Sequence, residues 1–300
     1  MKLTGVHFLL TYQCNFECDH CFVWGSPWQC GVMTLRDIRT ILKQAQGVPS
    51  VKSIYFEGGE PFLYYATMLR GIKEAVQAGF QVGIVTNTYW ATDFDDALEW
   101  LQPLAGLVDD LSLSSDLYHW DEKVSQQVKN ARRAAEQLKI PVGTISIAEP
   151  ELSDARASMG KLPEGESGVM FRGRAYEKLV ARATKHAWDS FTECPHEDLV
   201  EVGRIHLDPL GYVHVCQGIS AGNVFQTPLA EICAQYQPES HPIIGPLLEG
   251  GPAELVREYG LEHAEVYADA CHLCFEARLK LRPRFPEILT PDQMYGVVEG

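Results

Sequence analysis

Short apolar runs without polar alternation recur along the first 175 residues, separated by longer stretches with apolar residues at helical spacing. The runs cover residues 6–13, 52–56, 81–86, 110–114, 142–148 and 168–171. Between them, residues 34–46, 64–78, 93–101 and 122–138 predict helices, as Leu35, Ile38, Ile41 and Leu42 show in the first of these. Thr34, followed three residues later by Asp37, predicts the N-cap of that helix. Apolar, non-alternating strands that alternate with helices predict an α/β fold: a parallel sheet covered by helices. Six such strands suit a partial (β/α)6, TIM-like barrel. A further helix is expected over 176–187. Near residue 188 the alternation stops and Pro, Gly and Cys take over. The expected division is therefore 1–187 for the barrel and 188–300 for a small irregular α+β domain.

In parallel barrels and open α/β sheets, ligands sit at the carboxyl ends of the strands. The residues with chemistry fall there: Cys14 after the first run, Glu57-Gly58-Gly59-Glu60 after the second, Asn87 after the third, and Ser114 with Asp116 after the fourth.

Composition narrows the function classes. The 300 residues are 46% hydrophobic and 22% charged, which predicts a packed core rather than disorder. A formal net charge of −15 argues against nucleic acid as a partner. The basic alternation Arg278, Lys280, Arg282 and Arg284 is read as a solvated surface. No apolar run approaches membrane-spanning length, and the run from Val6 to Leu10 is too short for a signal peptide core. A cytoplasmic, reducing setting is expected, so the nine cysteines point to metal or catalysis rather than to disulfides.

Cys14-Asn-Phe-Glu-Cys18-Asp-His-Cys21 spaces three thiols so that a short loop can fold them onto one small object. Three thiolates on a four-iron cluster leave one iron open to a ligand. A zinc knuckle completed by His20 is the structural alternative, but His20 lies awkwardly close to Cys21 to share one ion. Placed after the first strand of this array, the motif resembles the hallmark of the radical S-adenosylmethionine (SAM) superfamily. The resemblance implies that Cys14, Cys18 and Cys21 hold a [4Fe–4S] cluster whose open iron chelates the methionine amino and carboxylate groups of SAM. Reduction then cleaves SAM to methionine and a 5′-deoxyadenosyl radical. His20 matches the position whose backbone lies by the adenine. Gly58, Gly59 and Glu60 match the family's Gly-Gly-Glu motif and are expected at the SAM amino group. Thr86-Asn87-Thr88 resembles its Thr-Asn-Gly segment, with Thr88 in place of glycine. Ser114 and Asp116 are expected near the ribose and carboxylate, and Ile145 against the adenine. Gly143-Thr144-Ile145-Ser146-Ile147-Ala148-Glu149 partly matches the family's fifth-strand motif but lacks its middle glycine, which leaves Glu149 outside the expected site. Arg172, in Arg172-Gly173-Arg174-Ala175, is expected at the SAM carboxylate or the substrate.

Four later cysteines form a second set: Cys194, Cys216 after a turn signal at Asp208-Pro209-Leu210-Gly211, and the pair Cys271 and Cys274 opening a helix. The layout resembles the SPASM/twitch domains of radical SAM enzymes. It implies one auxiliary [4Fe–4S] cluster, with zinc as the structural alternative. Cys233 reads as a small buried hydrophobe, and Cys30 lies in a Trp- and Gly-rich loop.

The resemblance implies an oxidoreductase or maturase that abstracts a substrate hydrogen atom and oxidatively modifies a peptide, by crosslinking or side-chain oxidation. Dehydrogenation of a small-molecule alcohol is the alternative, and a zinc-binding interaction module or a ferredoxin-like electron carrier lies further off. The chain starts its barrel at once, so no N-terminal peptide-recognition domain is expected, which weakens the peptide reading. A reducing partner such as flavodoxin or ferredoxin is implied. Tyr118, His119, Asp121 and Asp208 are unranked acid/base candidates.

Overall fold

The computed structural model describes residues 1–122, 124–151 and 166–298. In chain order, β1 (Gly5–Thr11), α1 (Leu35–Gln46), β2 (Ser53–Gly58), α2 (Tyr65–Gln77), β3 (Gln81–Thr86), α3 (Phe94–Leu101), β4 (Asp110–Ser114), α4 (Gln126–Gln137), β5 (Val142–Ile147) and β6 (Glu166–Ser167) build a partial TIM-like barrel. The short α5 (Arg174–Lys178) and β7 (His186–Ala187) follow. The remainder holds β8 (Arg204–Leu207), β9 (Tyr212–Cys216), β10 (Ile219–Asn223), α6 (Leu229–Gln235), α7 (Ile244–Tyr259), β11 (Val266–Tyr267) and α8 (Ala270–Leu281).

One nine-stranded sheet runs in the order β10-β9-β8-β1-β2-β3-β4-β5-β6. Every neighbouring pair from β8 to β6 is parallel, and the β8–β9 and β9–β10 pairs are antiparallel. The sheet therefore continues from β1 into the C-terminal part, where β8 pairs with β1 in register. Leu3, Phe8, Phe56, Ile84 and Leu111 share one buried apolar cluster with Leu207, Leu255 and Phe275 from that part. α1 opens as expected, with Thr34 accepting from Asp37 N while the Asp37 carboxylate accepts from Thr34 N. The helix predicted over 122–138 starts at its cap Ser125; Lys123 lies outside the described residues.

Two predicted elements are corrected. The sixth strand is Glu166–Ser167, not 168–171. Beyond it the chain leaves the sheet and tightens so that Arg172 N donates to Met170 O at 2.8 Å. The helix over 176–187 stops at Lys178, passes through a 3-10 turn at Val180–Arg182 and becomes extended. His186 and Ala187 pair instead with Tyr267 and Val266 of β11, a tertiary contact that overrides local helical spacing.

Candidate active site

Cys14, Cys18 and Cys21 follow β1 and line a cavity of ≈ 640 Å³ at the carboxyl ends of the barrel strands. Backbone and side-chain N–H groups aim at two of the sulfurs: Phe16 N and Asn87 Nδ2 at Cys14 Sγ (3.4 and 3.6 Å), and Gly25 N at Cys21 Sγ (3.2 Å). Burial, with the nearby Glu60 charge, pushes the Cys14 thiol up to about 12. Burial, with the Cys21 charge, pushes Cys18 higher still. Such thiols stay protonated near neutral pH unless a cation draws off the proton.

The loop is clamped from behind by the segment after β6. Buried Arg174 donates to Cys18 O and Gly25 O, each at 2.8 Å. Gly173 (φ +60°) lets that segment close on the loop, since a Cβ there would lie 2.5 Å from Cys21 O and 2.7 Å from Phe22 Cα.

Gly58 and Gly59 line the same cavity at the end of β2. A Cβ at Gly59 would stand 2.0 Å from Gln13 O, so only glycine lets this turn pack on the cysteine loop. The Glu60 carboxylate is fully buried and turned toward the protein. It accepts from Phe62 N (3.0 Å), Thr86 Oγ1 (2.9 Å) and Asn87 N (2.7 Å), and burial raises its pKa to about 7. Asn87, Ser114, Asp116, Ile145 and His20 line the cavity. Thr88, where the resembled motif has glycine, adopts φ +65°, a left-handed conformation that is strained for a β-branched residue.

His20 stacks on Tyr118 (4.6 Å, 22°), and burial lowers its pKa to about 4. His119 Nδ1 is 2.7 Å from Asp116 Oδ1. Of the acid/base candidates, only His119 lines the cavity. Asp121 is exposed. Asp208 is fully buried in the β8–β9 turn, accepting from Leu210 N, Tyr212 N and Tyr12 Oη. Glu149 pairs with Arg182.

Deeper in the barrel the cavity is walled by Glu57, named in the sequence only as part of the segment after the second run, and by His7, Tyr55, Arg204 and His206, which had no sequence reading. Glu57 Oε1 lies 2.9 Å from His7 Nδ1 and 3.0 Å from His206 Nε2. Burial opposes ionisation of Glu57, yet His206 and His7 together hold its carboxyl well below the usual carboxylate range. Their only local signal was one polar residue in an otherwise apolar run, as in Val6-His7-Phe8 and Ile205-His206-Leu207.

Cys194, Cys216, Cys271 and Cys274 meet around a second, enclosed cavity. The β8–β9 hairpin delivers Cys216, and α8, capped by Asp269, delivers Cys271 and Cys274. Two buried arginines share its wall. Arg172 Nη1 donates to Cys216 Sγ (3.1 Å) and Nη2 to Glu197 (3.4 Å), so its guanidinium turns to this cavity although the residue borders both. Arg278 is 1% exposed, which corrects its reading as solvated surface. Lys280 and Arg282, from the same run, pair with Glu276 and Asp292. The Nε atoms of Arg172 and Arg278 are buried without a hydrogen-bond partner among the described residues. Cys233 is buried on α6, and Cys30 is exposed.

Among the described residues, no three sulfurs of either cysteine set lie within 4.8 Å of one another. Four sulfurs on one zinc, at about 2.3 Å, would stand only about 3.8 Å apart. A single zinc would require the sulfurs of either set to draw closer together.

The family model for the radical SAM superfamily matches residues 8–140, which span the cysteine loop, the Gly58-Gly59 turn and β4. Residues 8–140 belong to the radical SAM superfamily. The resident [4Fe–4S] cluster and SAM of that family fit the three-cysteine loop and its cavity. YydG of Bacillus subtilis, whose name assigns it provisionally to peptide biosynthesis, is 29% identical over 123 residues, 40% of this chain and 38% of YydG. The matched stretches of the curated relatives cover less than half of each of them. Two solved structures share the fold. SuiB of Streptococcus suis bound to S-adenosylmethionine is 14% identical at a TM-score of 0.56, covering 85% of this chain and 74% of that one. Native anSMEcpe with bound AdoMet is 11% identical at 0.55, covering 98% of this chain and 100% of that one. No helix among the described residues is long and apolar enough to cross a membrane.

Proposed function

We propose that this radical SAM enzyme carries two [4Fe–4S] clusters and oxidatively modifies a peptide. Cys14, Cys18 and Cys21 would hold the first, and Cys194, Cys216, Cys271 and Cys274 the second, in a C-terminal unit from about residue 188. The bound groups would supply reductive cleavage of SAM and a store for one electron taken from the substrate. The chain's own residues do the rest. Gly58, Gly59, Asn87, Ser114, Asp116 and Ile145 shape the SAM side of the cavity, and Arg174 fixes the loop that carries the first thiolates.

The observation that carries the two-cluster reading is the second cavity. Burying an unpaired guanidinium costs several kcal/mol. Among the described residues, Arg278 has only the Gln217 carbonyl as a hydrogen-bond acceptor, so it calls for the negative charge that four metal-bound thiolates would provide. The sulfur spacing favours a cluster over zinc. Similarity to YydG supports a peptide substrate. The polar lumen around His7, Tyr55, Glu57 and His206 favours a second reading, a small hydroxylated substrate. A reducing, cytoplasmic setting with a flavodoxin- or ferredoxin-type donor completes the proposal.

Anaerobic reconstitution tests it. Wild-type protein is expected to hold about eight iron and eight sulfide per chain, and a Cys271→Ala/Cys274→Ala variant about four of each. Zinc without sulfide at the second set would contradict the reading.

A further inference from the structure

We propose that His7, Glu57 and His206 hold one divalent transition-metal ion in the barrel lumen, with its open coordination positions facing an oxygen donor of the substrate. The site goes beyond the two clusters and does not depend on either of them.

The three residues come from three adjacent strands, β1, β2 and β8. His7 and His206 are direct partners across β1 and β8, and Glu57 stands opposite Leu9, two positions further along β1. Their ligand atoms all lie within 4.8 Å of one another. Both imidazole nitrogens approach the same carboxylate oxygen, Glu57 Oε1, at 2.9 and 3.0 Å. In an octahedral ion with bonds of about 2.1 Å, neighbouring ligand atoms stand about 3.0 Å apart. The two separations therefore match the edges of such a polyhedron to about 0.1 Å. Two histidines and one carboxylate with the remaining positions open is the ligand set of non-haem iron(II) sites and of catalytic zinc.

The surroundings support the role. The ligands must be neutral imidazole and ionised carboxylate. The His7 ring lies flat on Tyr55 (4.4 Å, 5°), whose hydroxyl is held by Asp110 at 3.0 Å, so the ring orientation is fixed from behind. All three ligands border the cavity that also meets Cys14, Cys18 and Cys21. An ion there would anchor a carboxylate or hydroxyl of the substrate in the cavity into which the cysteine loop opens.

Without an ion, the cluster is a carboxylate accepting hydrogen bonds from two imidazoles, and the two cases separate by experiment. Mn(II) is added to the reconstituted, oxidised enzyme, and the free ion is followed by its EPR signal. The expected result is one saturable site, weakened at least about tenfold in Glu57→Gln and in His206→Asn, with iron and sulfide content unchanged. Pulsed EPR of the wild-type complex is expected to show coupling to imidazole nitrogen, a readout that does not need the variants to fold. Binding that is equal in wild type and variants, or bound Mn(II) without nitrogen coupling, would overturn the proposal. Because no SAM is added, this outcome is independent of whether the enzyme cleaves it.

Discussion

Glu60 shows what one buried carboxylate does in this fold. It joins the end of β2 to the end of β3 through Thr86 and Asn87, and burial lifts its pKa from 4.5 to about 7. Between those values the folded protein keeps a proton that the unfolded chain has released. The stability contributed by the protonated form is thus complete below pH 4.5 and is lost as pH rises toward 7. The difference in stability between wild type and Glu60→Gln, from urea midpoints without SAM, is expected to fall across this window by about 3 kcal/mol. A pH-independent difference would contradict the account. Residue roles were unevenly legible in the sequence. Cysteine spacing, read together with strand order and motif resemblance, singled out two cysteine sets, and each set borders its own cavity. His7 and His206 were hidden because each is an isolated polar residue in an apolar strand, and Glu57 was visible only as part of the segment after the second run, not as their partner. They meet only through the pairing of β8 with β1, which joins segments about two hundred residues apart and has no local signature. Arg278 was misread because its four-residue offset from Cys274, which places it on the cavity side of α8, looks like ordinary surface charge in sequence.

At the scale of elements, β1 to β5 and α1 to α4 follow from the apolar pattern: each of the four helices buries one stripe, whereas β5, apolar in sequence, stays partly exposed along its length. The pattern fails at β6 and α5, where tertiary contacts decide. Gly173 is the hinge of that region. It holds φ +60° so that Arg174 can reach Cys18 O and Gly25 O. Gly173→Ala meets both an unfavourable backbone region, worth about 1–3 kcal/mol, and the Cys21 carbonyl at 2.5 Å. The loop must then move away from its clamp. The variant is expected to bind less iron at the first cluster while keeping the iron of the second. Cluster-resolved Mössbauer or EPR spectra check this, and full occupancy of the first cluster would show that the clamp is dispensable.

Over the whole molecule, a single sheet carries both cavities. The first lies at the carboxyl ends of the barrel strands. The second lies beside it, where β9 and α8 bring four cysteines together, and Arg172 forms part of the wall of each. The domain division expected near residue 188 rests on a change in composition. The continuity of the sheet across it was not legible, because parallel pairing between β1 and β8 is set by packing rather than by neighbouring sequence. This layout places the first thiolates, the Gly58-Gly59 turn and the polar lumen around one cavity, and the second set close enough to share a residue with it. Its central claim is that the first cavity cleaves SAM. The direct measurement is release of 5′-deoxyadenosine from SAM by the anaerobically reconstituted, reduced protein. Wild type is expected to release it, and Cys18→Ala, which removes a thiolate of the first cluster, to release none above background. Cluster-loaded wild-type protein that forms no 5′-deoxyadenosine, or a Cys18→Ala variant that forms as much as wild type, would contradict the account.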